Sequence, residues 1–221
     1  MTRLIIVRHA ESAFNFQNRI QGHKDSQLTP KGLQQARRLA KRIRHFKIDK
    51  VYSSDLGRAY STTRVITRYL PKSAIVRDPK LREILLGDWE GMTAEEVDKL
   101  YDRGFEKWLK KPSACVIPNA EKINHFRKRV TERVRQIARQ NRGKTVLLVT
   151  HGGVITSLLA DWLKADFDRV LQGLHIENTS LTFVEFRGER NQPFPMLWVV
   201  NDTDHLAKKE KNDERFIHRH P

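Results

Sequence analysis

A chain of 221 residues with 42 Lys+Arg against 26 Asp+Glu carries a formal net charge of +16, and 38% of it is apolar. That length suffices for one α/β domain with a full core, and the apolar content is too high for a disordered chain. A single cysteine, Cys115, excludes an internal disulfide and any multi-cysteine zinc site. Apolar runs such as Leu4-Ile5-Ile6-Val7 are far short of a membrane span. The N-terminal run ends at Arg8 with no cleavage-like segment after it, so a cytoplasmic protein with no membrane contact is expected. The charge makes nucleic acid the first partner to consider.

Arg3-Leu4-Ile5-Ile6-Val7-Arg8 reads as a buried parallel strand. Residues 10–29 are polar and irregular and read as a long loop. Thr29 and Pro30 supply a helix N-cap and first position, and Leu33, Ala36, Leu39, Ala40 and Ile43 recur at helical spacing. Val51-Tyr52-Ser53 is a short strand, and a helix over about 56–69 ends at Pro71. A strand near 74–77 precedes a loop over 81–91. Thr93-Ala94-Glu95-Glu96 opens a helix over about 93–109 with a capping box. Pro112 to Asn119 is a loop. A long helix over about 120–141 carries Ile123, Phe126, Val130, Val134, Ile137 and Ala138 on one face, with Gly143 closing it. Thr145-Val146-Leu147-Leu148-Val149-Thr150 is the clearest buried strand, and a helix over about 154–163 follows His151-Gly152-Gly153. Strands near 179–186 and 194–200 form a hairpin across Arg187 to Gln192.

This alternation predicts a three-layer α/β/α sandwich. Its sheet is mostly parallel, with an antiparallel edge hairpin and a small helical cap insertion over about 91–120. One domain over 1–206 and a charged tail over 207–221 are expected. Ligands of such sheets bind beyond the carboxyl ends of the strands. Arg8-His9 ends the first strand and Thr150-His151 ends the strongest one, so adjacent strands would bring His9 and His151 face to face. A basic residue beside a histidine there suits a phosphate. Arginine offers a bidentate fork, neutral imidazole is a competent nucleophile near pH 7, and glycines at a helix start let N–H groups approach an anion.

Singly these features are weak. In order they are much stronger: Arg8-His9-Ala10-Glu11-Ser12, Asn15, Gln21-Gly22, Leu28-Thr29-Pro30-Lys31-Gly32, Ser53-Ser54-Asp55-Leu56-Gly57-Arg58-Ala59, Leu81-Arg82-Glu83, Gly87-Asp88-Trp89-Glu90-Gly91 and Val149-Thr150-His151-Gly152-Gly153. This series resembles the histidine phosphatase superfamily, the phosphoglycerate-mutase-like fold, over about residues 1–205, and its broad-specificity phosphatase branch in particular. The resemblance implies that His9 is a nucleophile forming a phosphohistidine, and that Arg8, Arg58 and His151 hold the phosphoryl group. It implies that Glu83 is the general acid/base, that Asn15 contacts phosphate, and that Gln21 and Gly22 border the pocket entrance. Gly152 supplies a backbone contact to the anion. No metal and no cofactor is implied. A catalytic Glu83 would need a raised pKa, for which its apolar flanks could serve; the plain alternative pairs it with Arg82.

The chain departs from the family pattern in three places. Ala10 stands for the usual glycine, Asn119-Ala120-Glu121-Lys122 for the usual Gly-Gly-Glu-Ser, and Leu86 for a histidine of the phosphoserine phosphatase branch. The interval from Glu83 to His151, 68 residues (151 − 83), is shorter than in cofactor-dependent phosphoglycerate mutases. Hydrolysis of a small phosphorylated metabolite is therefore expected, with mutase activity as the alternative. A nucleic-acid-binding protein on this fold ranks third, because the Arg and Lys of the two basic helices alternate with core positions. A sheet edge near the last strands leaves a homodimer open. His23, Lys24, Trp89, Trp108 and His205 are further candidates for the pocket rim; a solvated loop explains His23 and Lys24 as well, and packing or tail-capping explains the other three better.

Overall fold

The computed structural model describes residues 1–70, 74–188 and 194–207. In chain order, β1 (Thr2–Arg8) leads to α1 (Ala13–Phe16) and α2 (Pro30–Ile43), then β2 (Lys50–Ser53), α3 (Gly57–Ile66) and β3 (Ile75–Arg77). Next come α4 (Ala94–Leu100), α5 (Gly104–Lys110), α6 (Ile123–Gln140), β4 (Thr145–Thr150), α7 (Gly152–Leu163), α8 (Phe167–Gly173), β5 (Leu181–Arg187) and β6 (Phe194–Asp202).

One six-stranded sheet runs β3-β2-β4-β1-β5-β6. The first four strands are parallel, and β5 and β6 are the expected antiparallel edge pair. Alternation along β1 sends Leu4 and Ile6 to one face and Ile5 and Val7 to the other. The first face packs against α6 and α7 through Phe126, Val130, Val134, Ile155 and Leu158. The second packs against α2 and α3 through Ala36, Leu39, Ile43, Ala59 and Ile66. Those two cores make the three-layer α/β/α sandwich. No helix among the described residues is long and apolar enough to cross a membrane.

Local signals act as read at several joints. Thr29 Oγ1 accepts from Gly32 N at 2.9 Å with Pro30 at the first helical position, and Thr93 and Glu96 form the capping box of α4. Four expectations are corrected. The helix predicted over 93–109 is two helices, because Asp102 and Arg103 are left-handed (φ 48° and 57°). Asp98 Oδ1 accepts from Phe105 N and Glu106 N and so restarts the chain as α5. The loop over 10–29 contains the one-turn α1, opened by Ser12. The helix after His151 starts at Gly152 rather than 154. Residues 167–173, left without an element by periodicity, form α8 behind an Asp166 cap. Pro71, most of the β5–β6 turn and the tail with His218 and His220 lie outside the described residues.

The two helices α4 and α5 cover a small separate core of Trp89, Val97 and Ile117, packed by Tyr101, Phe105 and Trp108. This unit is joined to the 83–91 segment at Gly87, whose φ is +52°. A Cβ there would stand 2.1 Å from Pro118 O and 2.7 Å from Ala120 N. Gly87→Ala should therefore lose roughly 1–3 kcal/mol of stability in urea unfolding, because it meets both backbone strain and a backbone clash. An unchanged midpoint would contradict this account of the joint.

Candidate active site

The parallel pairing of β1 with β4 sets Arg8 opposite Thr150, so the two strands release His9 and His151 side by side. Their ring centroids lie 5.2 Å apart, and both residues are buried. His9 Nδ1 is 2.8 Å from Ala10 O. A carbonyl only accepts, so Nδ1 carries the proton and Nε2 keeps its lone pair. Arg58 Nε donates toward that Nε2 at 3.3 Å. His151 Nε2 is 2.8 Å from Ser54 Oγ, while its Nδ1 is buried with no partner. Burial, then the charges of Arg58 and Arg8, push the His9 pKa well below 6.5. Burial, then Arg58, His9 and Arg8, do the same to His151. Two neutral imidazoles near pH 7 follow.

Arg58 is 1% exposed and almost wholly committed. Its Nη2 donates to Gly22 O at 2.7 Å, and its Nη1 to Lys24 O at 3.2 Å and Asp25 Oδ1 at 3.1 Å. Asp25 also accepts from the N–H groups of Gly57 and Arg58 at the start of α3. Arg8 Nη1 donates to Ile176 O, and its Nε is buried without a partner. Burial lowers both guanidinium pKa values, against which Glu83 and Asp25 act for Arg58, and Glu83 and Glu177 for Arg8. An unpartnered buried guanidinium N–H leaves donor capacity beside His9, as an anion site needs.

Glu83 does not pair with Arg82, which binds Asp55 through both nitrogens at 2.7 and 2.5 Å. Instead Glu83 Oε2 accepts from Gly153 N at 2.9 Å and Oε1 from Ile84 N at 3.0 Å. A Cβ on Gly153 would stand 2.4 Å from Glu83 Oε1, whereas one on Gly152 would make ordinary contact with Arg8 at 3.5 Å. Glycine at 153 thus lets the Glu83 carboxylate come this close to the start of α7. Asn15 Oδ1 accepts from Ser12 N and Oγ, which leaves its Nδ2 donors available to an anion. Gln21 Oε1 lies closer to Ser12 Oγ, at 2.8 Å, and shares its single hydroxyl proton with Asn15 Oδ1.

Eight of the nine predicted site residues, Arg8, His9, Asn15, Gln21, Gly22, Arg58, Glu83 and Gly152, line one cavity of about 380 Å³, with His151 behind His9. The rest of its lining is mixed, with Ile84, Leu86, Trp108, Leu171, Leu174 and Ile176 beside Arg19 and His175. Among the rim candidates, Trp108 faces this cavity, whereas Trp89 is 2% exposed in the small core. His23 and Lys24 turn away from it: His23 Nε2 is 2.9 Å from Glu83 O, and Lys24 Nζ reaches Glu90 O. His205 Nε2 meets Thr179 Oγ1.

Several supports escaped sequence reasoning. Asn178 Nδ2 donates to His9 O at 2.9 Å, and Thr179 N donates to Arg8 O and His9 O from a left-handed turn (φ 60°). Arg129 pairs with Glu121 and donates to the carbonyls of Lys80, Arg82 and Glu83, bracing that segment from α6.

Both buried imidazoles take up protons more readily unfolded than folded. Stability should therefore fall as pH drops below about 6.5, since the unfolded chain then binds more protons. His205, lowered to about 4, adds to the trend. Thermal unfolding followed from pH 7.5 downward should show it, and His9→Asn should flatten the slope by up to about 1.4 kcal/mol per pH unit. A stability independent of pH across that window would contradict neutral buried imidazoles.

The family model "Histidine phosphatase superfamily (branch 1)" matches residues 4–195. Phosphoglycerate mutase-like protein 4 of Arabidopsis thaliana is 36% identical over 157 residues, 70% of this chain and 68% of that protein. The solved structure of Bacillus stearothermophilus YhfR superposes with a TM-score of 0.88 at 33% identity, covering 94% of this chain and all of that one. Phosphoserine phosphatase of Entamoeba histolytica, solved with 3-phosphoglyceric acid, superposes with a TM-score of 0.80 at 31% identity, covering 94% of this chain and 100% of that one. Fold, site and relatives agree: the chain belongs to the histidine phosphatase superfamily, a family of enzymes.

Proposed function

We propose that the chain is a phosphomonoesterase that hydrolyses small phosphorylated metabolites through a phosphohistidine on His9, needing no metal. The observation that carries this reading is the Nδ1–H bond to Ala10 O, which leaves the Nε2 lone pair beside Arg58 and within the cavity. In the first step the Nε2 lone pair forms an N–P bond and the ester P–O bond breaks. Arg8, Arg58 and His151 stabilise the phosphoryl oxygens as charge develops on them. Glu83, in its protonated form, gives its proton to the departing alkoxide. In the second step water attacks phosphorus, the N–P bond breaks, and the Glu83 carboxylate takes the proton from the water. Inorganic phosphate and a neutral His9 remain.

The Gly153 and Ile84 N–H groups hold the Glu83 carboxyl beside the cavity, which supports this acid/base role. Hydrolysis is favoured over mutase chemistry by the outer wall. A mutase must grip a phosphoglycerate carboxylate, yet much of the outer lining is apolar, and its Arg19 is already committed to Glu96 at 2.9 Å and Gly91 O at 2.7 Å. A nucleic-acid role draws no support from α6, where Arg129, Arg133 and Arg135 are paired with Glu121, Asp78 and Asp161.

Glu83→Gln removes the transferable proton but keeps the shape. Turnover of alkyl phosphates, whose leaving groups need protonation, should drop by about 10²–10⁴-fold. The loss on p-nitrophenyl phosphate, whose leaving group does not, should be much smaller. Equal losses on both would contradict the acid/base assignment.

A further inference from the structure

The catalytic reading uses Arg58 and Glu83 but leaves unexplained a half-buried carboxylate between them, that of Glu90. Its Oε1 accepts from His23 N at 2.8 Å and Leu86 N at 2.9 Å, and its Oε2 accepts from Lys24 N at 2.8 Å. It therefore ties the loop around residues 22–25 to the segment that carries Glu83. Its bond to His23 is of special kind. The peptide group that gives the His23 N–H to Glu90 is the one whose Gly22 carbonyl accepts from Arg58 Nη2 at 2.7 Å. In a trans peptide the N–H and C=O point in opposite directions. The carboxylate thus polarises this peptide toward the guanidinium, and each of the two bonds strengthens the other. Lys24 repeats the arrangement around one residue: its N–H goes to Glu90 and its carbonyl to Arg58 Nη1. The negative charge of Glu90 is also felt favourably by the buried Arg58.

Gly22 is built for this contact. Its φ is +52°, and a Cβ would stand 2.0 Å from Glu90 Oε1. No other residue type allows the carboxylate so near the peptide at this backbone conformation.

We propose that Glu90 is a positioning residue that holds Arg58 in its phosphoryl-binding pose through the Gly22–His23 peptide. The proposal rests on the reading of Arg58 as a phosphoryl clamp. It assigns Glu90 no contact with substrate; the effect passes through backbone to the guanidinium.

The test uses the full chain and inorganic phosphate as an inhibitor of p-nitrophenyl phosphate hydrolysis. Glu90→Gln removes the charge and sets an amide N–H₂ against a backbone N–H. It should lower kcat/KM and raise the phosphate Ki, each by about 10- to 100-fold. In an Arg58→Ala background the same substitution should raise Ki less than about threefold further, because its target is gone. A purely structural role would lower the melting temperature without moving Ki, and that result would overturn the proposal. So would full, independent effects of the two substitutions. Gly22→Ala, which leaves every charge in place, should raise Ki in the same way and guards against a Glu90 variant that fails to fold; an unchanged Ki there would overturn the proposal. If Arg58→Ala itself leaves Ki unchanged, the clamp reading fails and this proposal with it. If Arg58→Ala raises Ki but Glu90→Gln does not, this proposal alone fails.

Discussion

Two guanidinium groups and two imidazoles packed at the ends of two neighbouring strands are the constraint on which the rest depends. Bare, such a cluster would be costly, because each charged group is out of water and like charges repel. The chain meets the cost in two ways. It keeps both imidazoles neutral, through burial and through the adjacent arginines. It also wraps Arg58 in two backbone carbonyls and the Asp25 carboxylate. What remains unsatisfied, the Arg8 Nε and the His151 Nδ1, is left beside His9. The site is thus already organised for an anion before any anion arrives, and little reorganisation is needed as charge develops on a phosphoryl group.

The sheet supplies the geometry. Strand order β2-β4-β1-β5 puts the ends of β1 and β4 side by side and leaves β2 to deliver Ser54, whose hydroxyl meets His151. The α3 helix then starts so that Arg58 reaches under His9. Support for β1 comes from the opposite direction, where the turn before β5 holds the carbonyls of Arg8 and His9 through Asn178 and Thr179. The placement of the cavity's side chains depends on loops anchored to strand ends and to one another, and the strands themselves are ordinary core.

Much of this was legible in the sequence. The apolar runs at 4–7 and 145–150 marked the two central strands, and a histidine at the end of each implied that the rings would meet. Thr29-Pro30 and Thr93–Glu96 marked helix starts by local chemistry that acts over three residues. The split of the predicted 93–109 helix was not legible, because Tyr101-Asp102-Arg103 has no strong breaker, and the break is set by the Asp98 side chain capping the second helix. Nor were the supports of the site. Asn178 acts on a residue 169 positions away, and Glu90 on a loop 67 positions away. Their partners are backbone N–H and C=O groups, which every residue type carries, so no spacing rule singles them out. The glycine requirement shows the same limit: the motif offers Gly152 and Gly153 alike, and only the position of the Glu83 carboxylate distinguishes them.

The net charge of +16 first pointed toward nucleic acid. Among the described residues Arg8, Arg19 and Arg58 line the cavity, and much of the remainder sits on helix faces, where it can raise the local concentration of small anions. The central claim is the covalent intermediate. The most direct test is reaction of the full chain with a ³²P-labelled phosphomonoester, quenched in alkaline denaturant and followed by mapping of the label. Label that is lost in acid, stable in base, carried on the peptide containing His9 and absent from His9→Ala is the predicted result. Undiminished hydrolysis by His9→Ala, or turnover with no label on that peptide, would contradict it.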